Sequence, residues 1–161
     1  MIHKPVLTER QQLGVIQLAR DARAPYLARK AVTAWAGAAH PARDILILVV
    51  SELVTNAVRH AADVSPGGDP DEFELTLSQG PDFLRLVVTD PGSPCSSPSC
   101  IPMQAPNLYA ERGRGLAIVD RLSRGRWGSY QLPVNGHRVV WCYLDLSPTP
   151  EQLAEIFRAP A

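Results

Sequence analysis

Apolar positions repeat at two periods along this chain, and the switches between them mark out its elements. From Pro25, apolar side chains recur at Leu27, Ala31, Ala34 and Trp35, the spacing of one helix face. Asp21 stands ahead of them as an N-cap, a position where a carboxylate accepts from orphan amides. Gly37 or Ala38 ends the run. Pro41 opens a second helix, which continues through Ile45, Leu46, Leu48, Val49, Leu53, Val54, Ala57 and Val58 to about His60. Its first half is apolar on most sides, which predicts a helix buried nearly all round. Beyond it the period shortens to two. Alternation over 73–77 and an apolar run over 84–89 predict two strands, paired antiparallel across a turn at Gly80-Pro81-Asp82. Gly113-Arg114-Gly115 leads into a helix over 116–122. Strands follow over 127–132 and 138–146 with a turn at Asn135-Gly136, then a short helix over 150–157. Near the start, the segment 15–18 reads as an edge strand, and the rest of the first 19 residues has no clear period.

Two stretches carry no such period. Residues 62–72 are rich in Gly, Pro and Asp, as a loop is. Residues 91–112 hold five of the fifteen prolines, and a connection that long inside a domain is characteristically a functional lid or disordered. Helices, two strands, a lid, a helix, two strands and a helix make an α+β fold. The expected form is a two-layer α/β sandwich, with helices on one face of a mixed, mostly antiparallel sheet. The 161 residues suit a single domain, 1–161.

Composition narrows the partners. Lys+Arg and Asp+Glu both number 16, so the basic excess that nucleic acid or an anionic membrane would call for is missing. No apolar run approaches the ~20 residues of a bilayer span, and no secretory leader is legible at the start. Three cysteines, an odd number without a framework, fit a reducing compartment, so the expected location is cytoplasmic. Cys95, Cys100 and Cys142 lack the companions a zinc site needs and read as free thiols. His40 and His137 read as structural or surface residues, and Trp35, Trp127 and Trp141 as core.

Three local motifs can carry chemistry. Glu52, Asn56 and His60 are spaced by four along the second helix and so share one face. A carboxylate and an amide inside an otherwise apolar helix need a polar cavity or an ion, and their oxygens suit magnesium. On spacing alone, a solvated helix edge explains them equally well. Asp90, ending the apolar strand before Pro91-Gly92, can accept from a donor deep in a pocket, and Gly92 lets the backbone approach a ligand. An ordinary strand-to-turn Asp would look the same. Glu111-Arg112-Gly113-Arg114-Gly115-Leu116 places glycines and two cations at a helix start, where amides and the helix dipole favour phosphate. A flexible loop-to-helix junction is the plainer reading.

In order and spacing, the three together resemble the N box and the two G boxes of the GHKL ATPases, which include histidine kinases, gyrase-type ATPases and a class of chaperones. Ser51-Glu52-Leu53-Val54-Thr55-Asn56-Ala57-Val58-Arg59-His60 is the most specific piece, and the resemblance covers roughly 20–146, with a lid at about 93–112. Within that group the chain looks most like the anti-sigma-factor serine/threonine kinases. The resemblance implies the Bergerat ATP-binding fold, ATP and Mg2+ as cofactors, and Glu52 as the general base or water-orienting acid. It implies Asn56 as the magnesium ligand, Asp90 as the adenine-binding acid with Gly92 beside it, and Arg112, Gly113, Arg114, Gly115 and Leu116 around the phosphates. The implied partners are an antagonist protein of the STAS type, a sigma factor and a second copy in a homodimer. Pro94 and Ala117 stand where the family often has glycines, which bears on lid closure and turnover. The alternative is a non-catalytic ATP-binding module acting through protein contacts. The catalytic half of a histidine kinase fits less well, since no helix with a phosphoacceptor histidine precedes the domain.

Overall fold

The computed structural model describes residues 10–60, 72–90, 111–134 and 136–156. The elements run β1 (Gln11–Ala19), α1 (Ala24–Ala36), α2 (Arg43–His60), β2 (Glu72–Gln79), β3 (Phe83–Asp90), α3 (Glu111–Ser123), β4 (Trp127–Gln131), β5 (Arg138–Asp145) and α4 (Pro150–Glu155). The five strands form one sheet in the order β1-β2-β3-β5-β4. Every neighbouring pair among them is antiparallel, so the expected mixture is a uniformly antiparallel sheet.

The core is one layer between helices and sheet. Leu84, Leu86 and Val88 of β3 point into it, as do Val140, Cys142 and Leu144 of β5. They meet Leu46, Val49, Val50, Leu53 and Val54 of α2, and Ala28 and Val32 of α1. This is the alternation that a sheet covered on one face requires. Trp35 packs against that core, and Gly14 of β1 makes room for it: a Cβ there would overlap the indole ring. The register of β1 on β2 shifts between Gln12 and Gly14. Trp127 also packs against the core. Trp141 departs from expectation, because it lies on the opposite parity to Cys142. There it is half-buried, edge-on to Tyr143 at 5.7 Å, and Tyr143 meets Phe83 at 5.1 Å.

Several boundaries differ for local reasons. Asp21 does not cap α1. Arg23 is the N-cap and has no side-chain cap bond, while the Asp21 carboxylate accepts from the Arg23 amide at 2.8 Å and fixes the turn one step earlier. Pro41 lies in a turn ahead of α2, where the Ala42 amide donates to His40 Nδ1 at 3.0 Å, which gives that histidine a structural role. The third helix begins at Glu111, not after Gly115, so Gly113 and Gly115 lie inside its first turns. α4 is closed by a capping box between Thr149 and Gln152. Among the described residues no helix is long and apolar enough to cross a membrane.

Candidate functional site

The candidate site is drawn from the junction of α2 and α3 and from the end of β3, which the sheet pairs with the start of β5. In α2 the residues Leu53, Val54 and Ala57 are buried, and Glu52 and Asn56 flank that stripe, each half-buried. The spacing of four keeps the two polar groups on one line of the helix. α3 packs along α2 and buries Leu116, Val119 and Leu122.

Gly115 fits this junction tightly. A Cβ on it would overlap Glu52 Oε2 and lie 3.3 Å from Glu52 Cδ. The N-terminal part of α3 therefore rests against the Glu52 carboxylate, which joins two of the sequence motifs in space. Burial pushes the Glu52 carboxyl above its usual range, opposed by the positive charge of Arg59. A carboxylate partly desolvated at a helix junction, with its pKa raised by burial, is a candidate for acid–base work.

At the other limb of the site, Asp90 continues the inward parity of Leu84, Leu86 and Val88, and Arg138 begins that of Val140, Cys142 and Leu144. The register of β3 on β5 sets these two residues opposite each other. Arg138 Nη2 donates to Asp90 Oδ2 at 2.8 Å, and Nε donates to the same oxygen at 3.2 Å. Both are buried, Asp90 at 1% and Arg138 at 6% exposure. Such a pair needs its mutual attraction and hydrogen bonds to offset desolvation of two charges. Arg138 did not figure among the residues expected from the sequence.

The remaining expected residues divide. Leu116 is buried in the core, so only its backbone can face a ligand. Arg112, Gly113 and Arg114 lie in the first turn of α3, with side chains outside the described residues. Gly92, Pro94 and the segment 93–110 also lie outside them. Ala117 is within α3. Cys142 is a buried free thiol, and burial pushes its pKa up to about 12.

The donor set fits magnesium in a particular way. Among the described residues no group of three or more His, Cys, Asp or Glu side chains could hold a metal ion. Asn56 and Glu52 offer one amide and one carboxylate oxygen donor on adjacent turns. Magnesium is commonly held by one or two protein groups, with phosphate oxygens and water completing its shell. The junction therefore suits a metal that arrives with a nucleotide.

No curated protein matches the chain. A family model described as the histidine kinase-like ATPase domain matches residues 18–140. That span includes α2, the Asp90 and Arg138 pair and the first turns of α3.

Proposed function

The chain belongs to the histidine kinase-like ATPase domain family, and from that premise we propose that it is an anti-sigma-factor-type serine/threonine kinase. In this reading it binds ATP with magnesium at the α2–α3 junction. It transfers the γ-phosphoryl group to a Ser or Thr of a STAS-type antagonist protein, and phosphorylation decides whether it holds the antagonist or a sigma factor. The observation that carries the catalytic part is the Glu52 carboxylate, partly desolvated and resting against Gly115 where α3 begins.

The chemistry uses these residues as follows. The acceptor hydroxyl oxygen forms a bond to the γ-phosphorus as the bond to the ADP oxygen breaks. Glu52 orients that hydroxyl and takes its proton. Asn56, one turn further along α2, offers its side-chain oxygen to the metal. Bound magnesium supplies charge neutralisation on the phosphate oxygens. Phosphoryl transfer needs mainly positioning and charge stabilisation, and the first turn of α3, with Gly113, offers amides at a helix N-terminus for that purpose. Arg112 and Arg114 add positive charge to the same turn. β3 delivers Asp90 to the base end of the site.

The test is incubation with γ-labelled ATP, magnesium and a STAS-domain protein. The expected result is label on a Ser or Thr of that protein, reduced ~10²–10⁴-fold in Glu52→Gln. ATP binding with no label transfer by the wild-type chain would replace this reading with that of a non-catalytic binding module.

A further inference from the structure

The sheet has a second face. Among the described residues the helices bury their apolar side chains on the inward positions of the strands, which leaves the outward positions without a helical cover. The strand registers align those outward positions into rows that cross the sheet. The central row runs from β1 to β4 through Val15, Thr76, Val87, Trp141 and Gly128. Val15 is 49% exposed, and Val87 and Trp141 are half-buried. The Trp141 indole lies over Gly128, where a Cβ would come within 2.7 Å of it. Two opposite charges flank this largely apolar row on neighbouring strands. Glu74 of β2 stands on one flank, level with Thr89, and Arg85 of β3 on the other, level with Ser78. They are about 14 Å apart, too far to meet within one chain. The Arg85 guanidinium lies 5.7 Å from the Tyr143 ring centre, and its buried Nε has no hydrogen-bond partner among the described residues. Glu74 accepts from Gln17 at 2.8 Å and from Thr76 at 3.4 Å, and a carboxylate can accept further bonds.

We propose that this outward face binds a second copy of the chain, the two sheets stacking with Glu74 of each copy opposite Arg85 of the other. The proposal goes beyond the nucleotide chemistry and does not depend on it. A two-fold axis lying in the interface, close to the central row, turns the face over onto its own copy and exchanges the two flanks. Strand spacing and rise bring Glu74 over Arg85 when that axis is inclined by about 20° to the row. The strands of the two sheets then cross at about 40°, near the roughly 30° of stacked sheets. Val87 lies close to the axis and meets its own counterpart, and the axis forms both ion pairs at once. One acid and one base on opposite flanks of an apolar row make the face complementary to itself, as an isologous contact requires. A five-stranded face of this length offers roughly 600 Å2, so stacking two buries about 1,200 Å2, the lower end for a specific interface. Lys+Arg and Asp+Glu balance at 16 each, so two copies carry no net repulsion.

The test is sedimentation of the full chain without nucleotide, with a charge exchange across the interface. The wild type is expected to be dimeric at about 100 μM chain, as a small interface allows. Glu74→Arg and Arg85→Glu each set like charges against each other and are expected to weaken the dimer about tenfold or more. The double variant Glu74→Arg/Arg85→Glu restores opposite charges and is expected to return to within about threefold of wild type. Because the two residues are too far apart to meet in one chain, that recovery can come only through a second copy. Val87→Arg, which places a charge near the axis, is expected to give a folded monomer by circular dichroism and carries the test if the charge variants fail to fold. A monomeric wild type would overturn the proposal. So would a wild-type dimer that the single variants or a folded Val87→Arg leave intact, since it would use another surface. A double variant as weak as the singles would overturn it equally.

Discussion

The carboxylate of Glu52 occupies the space that a side chain on Gly115 would need. Two helices that are far apart in sequence, α2 and α3, thereby meet through one functional group and one missing methyl. The contact explains a glycine inside a helix, where it costs ~1 kcal/mol relative to alanine.

Gly115→Ala separates the packing role of that glycine from its catalytic one. The added methyl meets the end of a flexible side chain, so the carboxylate yields and the helices stay in place. Thermal stability should remain within ~1 kcal/mol of wild type, since the helix-propensity gain offsets the crowding. Phosphotransfer should fall about 10–100-fold, because small misplacement of a reacting group is costly. Melting and label transfer measured on one preparation check this. A large drop in melting temperature with an unchanged transfer rate would make Gly115 a packing residue alone.

Glu52→Gln carries a pH signature of definite sign. Burial raises the folded-state pKa of Glu52 above the ordinary 4.5, while the unfolded chain keeps the ordinary value. Between those two values the folded state binds more protons, so the contribution of this group is present below 4.5 and is lost as pH rises through the folded value. Above the folded value the ionised, desolvated carboxylate is a burden. Glu52→Gln should be at least as stable as wild type there and should flatten the fall in stability as pH rises from 4.5 through the folded value. Melting at several pH values decides it. A marked loss of stability at neutral pH in Glu52→Gln would mean that the carboxylate is held by a structural partner.

The Asp90–Arg138 pair predicts asymmetric mutational costs. Removing either partner breaks a buried ion pair, so Asp90→Ala or Arg138→Ala should each cost ~3–5 kcal/mol. The paired replacement of both by apolar residues of similar volume should recover most of that loss. Urea unfolding of the two single variants and the double variant forms the cycle. Additive losses would show that the two residues do not depend on each other.

Much of this is legible in the sequence. The period-four stripe on α2 sets Glu52 and Asn56 on one helix line, and the apolar run of β3 ends at Asp90, because those placements depend only on local geometry; their ligand roles come from the family resemblance. Arg138 was missed although a signal existed. It occupies the inward parity of Val140, Cys142 and Leu144, just as Asp90 occupies that of Leu86 and Val88. A charge on the buried face of a strand requires a partner. Recognising which partner required the pairing of β3 with β5, and that follows from the whole sheet. The start of α3 was misplaced because Gly113 and Gly115 have weak helix propensity, which the packing of Leu116 and Val119 overrides. Trp141 reads as core from the sequence. Its parity on β5 puts it on the other face of the sheet.

The central claim is that the junction of α2 and α3 holds a magnesium nucleotide through Asn56. Calorimetric titration of wild type and Asn56→Ala with ATP, in the presence and absence of magnesium, tests it most directly. The account predicts saturable binding to wild type that strengthens with magnesium, and about a tenfold or greater loss in Asn56→Ala that appears only when magnesium is present. Wild-type binding that ignores magnesium, or an Asn56→Ala chain that binds ATP and magnesium as tightly as wild type, would contradict it.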